Sequence, residues 1–208
     1  MFNFLTRKNK SPEEKFWDWF LKNKNGLEKF ISSEIYDYSL YNKLTHNLQK
    51  YNSNLFPELT MTENDEFVFI ITPDGIPNGV LPTQKLYDKK PEISNWIIEK
   101  FRQPTNEIGL DFSGIEYSTS DIKIEHYVDY EREKVDIRLF IKEFEKTDKR
   151  YETLGWLYID HILGEYNTIT KVGSVLFEQW KSNDEHKDLL SLLELRKIID
   201  KELYKAST

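Results

Sequence analysis

The chain has 208 residues, no cysteine, and 29 lysines and arginines against 36 aspartates and glutamates, a formal net charge of −7. That inventory excludes disulfides, thiolate metal sites and cysteine nucleophiles, and the acidic balance offers no general attraction to nucleic acid or to an anionic membrane. With 13 Phe, 12 Tyr and 5 Trp, there is ample surface to bury in a folded core. No stretch approaches the roughly 18 apolar residues of a membrane helix. Phe2, Phe4 and Leu5 precede Arg7, Lys8 and Lys10, the reverse of a secretory signal, so a cytoplasmic protein is expected, with a frayed start at 1–10 and a single domain over 11–208.

Ser11-Pro12-Glu13-Glu14 predicts a helix start, with Ser11 as cap, Pro12 at the first helical position and Glu14 closing a capping box. The helix is expected to end near Asn25-Gly26, with Phe16, Trp17, Phe20 and Leu21 on its apolar stripe. Leu40, Leu44 and Leu48 at spacing four predict a second helix. From Leu55 the period changes: Glu58–Thr62 and Glu66–Thr72 read as strands around a tight connection at Glu63-Asn64-Asp65. The turn formers of Thr72–Gly79 mark a loop, followed by a short helix at Thr83–Tyr87 and a third strand at Asn95–Arg102, ended by Pro104.

The second half repeats that order. Ile122, Ile124, His126, Val128 and Tyr130 alternate with polar positions, Glu131–Lys134 turns the chain, and Val135, Ile137, Leu139 and Ile141 alternate again, which is the clearest hairpin of the sequence. Asp148–Leu163 predicts a helix closed by Gly164, Thr168–Val172 a last strand, and Asp184–Tyr204 a terminal helix. The element order αα, ββαβ, ββαβ, α predicts an α+β fold: a largely antiparallel sheet of two ββαβ blocks backed by helices, with an N-terminal helical pair and a C-terminal helix. The two blocks share no evident sequence repeat.

Three sets of segments, Phe16–Phe20 (FWDWF), Ile70–Gly75 with Trp96 and Phe101–Pro104 (FRQP), and Ile159–Tyr166 (IDHILGEY), together resemble a bacterial family of unknown function. The resemblance implies an intracellular bacterial α+β protein and brings no activity, substrate or cofactor with it. It singles out Asp74, Arg102, Asp160 and Glu165 as candidate ligand- or partner-binding residues.

His161 joins that set because Asp160, His161 and Glu165 are the densest group of titratable side chains near a helix end. His161 and Glu165, four residues apart, could share a metal or a proton. A metal site normally adds further ligands at recognisable spacing, which this segment lacks, so the blander reading is preferred: a helix C-terminus with His161 at the negative end of the dipole. Asp74-Gly75 reads first as turn chemistry. Arg102 could fork onto a ligand carboxylate or phosphate, but an internal pairing with Asp160 or Glu165 is the expectation. The templates for phosphate loops, dinucleotide binding and nucleophile elbows are all absent, and no metal or cofactor is expected. Small size, acidity and missing catalytic motifs point to a non-enzymatic protein-interaction role, of adaptor or immunity type, with another protein as partner and neither nucleic acid nor membrane. The alternative is a small-ligand binder or enzyme with a carboxylate and arginine site at the sheet edge.

Overall fold

A computed structural model describes residues 10–35, 37–106, 109–112, 114–180 and 189–204. Apart from Lys10, the expected frayed start lies outside them, as do the first residues expected of the terminal helix. The fold is α+β, with an N-terminal helical pair and a C-terminal helix. The chain clusters into two compact units that part between Phe101 and Arg102. The physical reason is that each ββαβ block closes its sheet on its own helices and buries a separate core.

In unit 1, α1 (Pro12–Ile31) opens with the expected capping box: the Glu14 amide donates to Ser11 Oγ at 3.2 Å and the Ser11 amide to Glu14 Oε2 at 2.7 Å. The helix runs through Gly26, which does not end it. A Cβ there would come within 2.6 Å of Leu40 Cδ2, so this glycine is where α2 (Ser39–Tyr51) crosses closely. Leu21 is exposed, and the buried stripe is Phe16, Trp17, Phe20 and Leu27. Strands β1 (Phe56–Met61) and β2 (Phe67–Thr72) pair antiparallel, α3 (Val80–Asp88) crosses over, and β3 (Trp96–Lys100) returns parallel to β2. The core is aromatic: Phe20 stacks on Phe69 with centroids 5.1 Å apart and meets Trp96 edge-on at 5.1 Å, geometries that aromatic quadrupoles favour. Trp17 Nε1 donates to the Leu86 carbonyl at 2.9 Å, tying α1 to α3.

Unit 2 begins with a short hairpin that the sequence reading does not contain, β4 (Gly109–Phe112) and β5 (Ile115–Ser118). The expected hairpin follows as β6 (Ile122–Asp129) and β7 (Lys134–Lys142), in antiparallel register with Ile124 opposite Leu139 and His126 opposite Ile137. Helix α4 (Lys149–Leu163) is capped by Asp148 and closed by Gly164, whose φ of 79° and ψ of 148° suit only glycine. The chain does not become a strand at Thr168. It turns straight into α5 (Glu165–Lys171), and β8 (Val172–Trp180) starts afterwards, parallel to β7. The hydroxyls of the β-branched Thr168 and Thr170 donate to the Gly164 and Tyr166 carbonyls four residues back and so are satisfied within the helix. Helix α6 (Leu192–Leu203), started by a Ser191–Glu194 capping box, completes the unit. Ile124, Ile137 and Leu139 are buried in one cluster with Leu154, Tyr158 and Ile159 of α4 and Leu195 and Ile199 of α6, and Val128 packs at its margin. Among the described residues, antiparallel strand pairings outnumber parallel ones three to two.

Candidate functional site

Four of the five candidate residues meet where α4 ends. Arg102 Nε lies 2.7 Å from Asp160 Oδ2 and its Nη2 3.2 Å from Glu165 Oε1. The backbone joins in: the Arg102 amide donates to Glu165 Oε2 at 3.1 Å, and the Glu165 amide donates to the Arg102 carbonyl at 3.0 Å. The Glu165 side chain is 0% exposed and that of Arg102 22%. A buried carboxylate is tolerable only when paired and hydrogen-bonded, and here both its oxygens have donors.

The same corner settles the four carbonyls that a helix end leaves without intrahelical partners. The Asp160 carbonyl accepts from the Gly164 amide at 2.8 Å, and that of His161 from the Thr105 amide at 2.7 Å. Arg196 Nη1 donates to the Ile162 carbonyl at 3.1 Å, and Asn167 Nδ2 to the Leu163 carbonyl at 3.0 Å. Gly164 lies against Pro104: a Cβ would sit 3.0 Å from Pro104 Cδ. The half-buried His161 takes part through its main chain, so the Arg102 corner has the geometry of a fastening between residues 102–106 and the α4–α5 junction.

Asp74 belongs to unit 1. It is exposed, at φ 49° beside Gly75 at φ 77°, and the Ile76 amide donates to the Pro73 carbonyl at 3.0 Å. Positive φ at both central residues makes this a tight turn of the kind that Asp-Gly favours, and the Asp74 amide donates to Thr72 Oγ1 at 2.8 Å.

Two surface features of unit 2 escape the sequence reading. The first is a concavity of about 260 Å³ lined by Glu116, Tyr117, Asp121, Lys142, Glu143 and Tyr151 with Gly114 and Ile115. Tyr117 donates to the Lys142 carbonyl, and Lys142 Nζ lies 3.6 Å from Asp121. Burial, then the neighbouring Tyr151, pushes the Tyr117 phenol up, so it stays a neutral donor. Burial alone would raise Asp121 too, but the Ser118 amide and hydroxyl outweigh it and hold Asp121 below the ordinary aspartate value.

The second is the face of the β6-β7-β8 sheet opposite the α4 and α6 cluster. Across it, Arg138 of β7 reaches Glu125 of β6 at 2.9 Å and Glu178 of β8 at 3.3 Å. Beside this row stand Tyr127, 67% exposed, and Leu176, 58% exposed. The signal in the sequence is phase: Tyr127 occupies the polar phase of a strand whose apolar phase is Ile122, Ile124 and Val128. Among the described residues, no group of three or more His, Asp and Glu is placed to hold a metal ion, and no helix is long and apolar enough to cross a membrane. No known family model matches the chain, and neither does any curated protein.

Proposed function

We propose that the protein acts by binding another protein, as an adaptor or an immunity-type neutraliser, and that unit 2 carries the contact through the part of its sheet face around Tyr127. The observation that carries this reading is Tyr127, two-thirds exposed on a regular strand and set between the carboxylates of Glu125 and Asp129. An aromatic anchor within a polar rim is the usual composition of a binding hot spot. The acidity of the chain is concentrated in the same unit: residues 102–208 hold 16 Lys and Arg against 22 Asp and Glu, residues 1–101 hold 13 against 14. The partner surface is therefore basic, since complementary charge steers encounter and excludes like-charged competitors.

The reading in which Arg102 serves a ligand has less support, because its guanidinium already engages Asp160 and Glu165. The test is parallel capture from host cells with the wild type and with Tyr127→Ala, followed by mass spectrometry. The expected outcome is a basic protein retained by the wild type, released by moderate salt, and lost with Tyr127→Ala. Identical captured sets would refute the assignment of this face.

A further inference from the structure

Strand β8 is an edge: the sheet order is β6-β7-β8, and among the described residues no strand pairs with its outer side. An edge strand offers a row of backbone donors and acceptors to any other strand, and proteins normally blunt it with shortness, proline, lysine or a covering segment. The other edges of the two three-stranded sheets are treated in this way. β1 contains Pro57, β3 is five residues long and ends in Lys100, and β6 contains Lys123 and is bridged at Ile124 by Leu190. β8 is nine residues long, without proline, lysine or arginine, and its sequence VGSVLFEQW is rich in strand formers. Its one irregularity, a bulge, falls before Val175.

We propose that this edge pairs with the same edge of a second copy of the chain, antiparallel about a twofold axis through Leu176, so that two three-stranded sheets become one of six. The side chains of β8 select both the occupant and the register. Pairing about Leu176 sets this exposed leucine against itself on one face and sets Val175 opposite Phe177 of the second copy on the helix-covered face. Val175 and Phe177 already pack at the margin of the core, so the pairing extends each core across the axis. Glu178, the strand's only charge, falls opposite the uncharged Ser174. A register one residue further along would place Leu176 opposite Glu178, and one centred on Glu178 would oppose two carboxylates, which costs stability in a cross-strand pair. The contact is isologous and closes as a dimer rather than a fibre. It does not depend on the partner proposed above, since it uses the edge of the sheet and leaves Tyr127 on the far strand uncovered.

Sedimentation equilibrium of the full chain is the test. The wild type is expected at twice the chain mass and Leu176→Lys, which brings two ammonium groups together on the axis, at the chain mass with an unchanged far-ultraviolet spectrum. The absence of cysteine gives a second arm that does not rely on that variant folding. Leu176→Cys places one thiol per chain on the axis and should yield a covalent dimer under mild oxidation, while Tyr127→Cys should not. A monomeric wild type, a Leu176→Lys variant that folds and dimerises like the wild type, or equal cross-linking of the two cysteine variants would each overturn the proposal.

Discussion

The two units solve one topological problem with different materials. Each has an antiparallel hairpin whose second strand is central, then a helical crossover, then a third strand parallel to that centre. A parallel neighbour requires a crossover of a dozen or so residues. Unit 1 meets the need with the single short helix α3 and a five-residue β3, whereas unit 2 uses α4 and α5 in series and a nine-residue β8. Unit 1 fills its core with rings, Phe16, Trp17, Phe20, Phe69 and Trp96, while unit 2 fills its own mainly with isoleucine and leucine. Chain order and pairing direction thus survive a shift from an aromatic-rich to a mainly aliphatic core, and the two blocks match in architecture while showing no repeat in sequence. The units also differ in what holds the ends together, an indole hydrogen bond between α1 and α3 in unit 1 and the Arg102 ion pairs in unit 2.

The largest effects should come from the cores and should stay within their units. Phe69→Ala removes the ring at the centre of the aromatic cluster and is expected to cost about 3–5 kcal/mol, and Leu139→Ala about 2–5 kcal/mol. Hydrogen exchange read by mass spectrometry should show faster opening of β1–β3 for Phe69→Ala and of β6–β8 for Leu139→Ala. Equal acceleration of both sheets by either variant would mean that the units unfold as one cooperative body, and the comparison would lose its energetic meaning.

Next in size is the fastening at Arg102. Arg102→Met leaves the fully buried Glu165 carboxylate without its guanidinium, and Glu165→Gln takes the Glu165 charge away from the guanidinium. Breaking a buried pair from one side costs about 3–5 kcal/mol. Because Arg102 keeps some contact with water, the lower end of that range is expected. The double variant should cost clearly less than the two singles added, as measured by urea unfolding. Additive single effects below about 1 kcal/mol would place the pair with exposed salt bridges and return Arg102 to the list of ligand-binding candidates.

A smaller effect is expected at Gly155 of α4, where a Cβ would meet Phe177 Cε1 at 2.5 Å and Leu139 Cδ2 at 2.8 Å. Gly155→Ala gains helix propensity but overfills the contact between α4 and its sheet, for a net loss of about 1–3 kcal/mol in thermal unfolding. A gain in stability would show that the sheet can shift to accept a methyl group.

Such contacts mark the limit of what is legible in the sequence. The capping box at Ser11 and the β6–β7 hairpin are visible because their signals are local: four residues for the first, and a period of two along each of two adjacent strands for the second. Gly26 misleads for the converse reason, since its local meaning is a helix stop and its actual role is the crossing by Leu40. Thr168, Ile169 and Thr170 have strand composition, but the chain re-enters a helix directly after Gly164 and carries them in it. β4 and β5, four residues each, are too short to carry a period. At the candidate site, the pairing of Arg102 with the end of α4 is expected because the resemblance groups those segments and a guanidinium suits a carboxylate at a helix end, whereas the concavity at Tyr117 takes its lining from four separate elements. The exposure of Tyr127 depends on which face the helices cover, a tertiary fact that alternation alone leaves open.

The smallest expected effect concerns pH and separates the two parallel edge strands. In unit 2, Asp136 of β7 accepts from the Ser174 amide at 2.7 Å and from Arg132 Nη2 at 2.8 Å, clipping the bulge of β8. The Ser174 amide first, and then its hydroxyl and Arg132, hold this carboxyl below the ordinary aspartate value. In unit 1, Glu99 of β3 is pushed up by burial, and β3 pairs with β2 without an irregularity. The two signs are opposite. A depressed carboxylate contributes stability that is complete above its unfolded value and is lost as pH falls through the folded one. A raised carboxylate costs stability above its folded value, and the cost is relieved as pH falls through that value toward the unfolded one. At neutral pH, Asp136→Asn should therefore lower the urea midpoint and Glu99→Gln should raise it, both modestly. On acidification the difference from wild type should shrink in both variants, for Glu99 above the ordinary glutamate value and for Asp136 only below the ordinary aspartate value. A Glu99→Gln protein less stable than wild type at neutral pH would mean that the carboxylate is held by a favourable partner, and the electrostatic contrast between the two parallel strands would disappear.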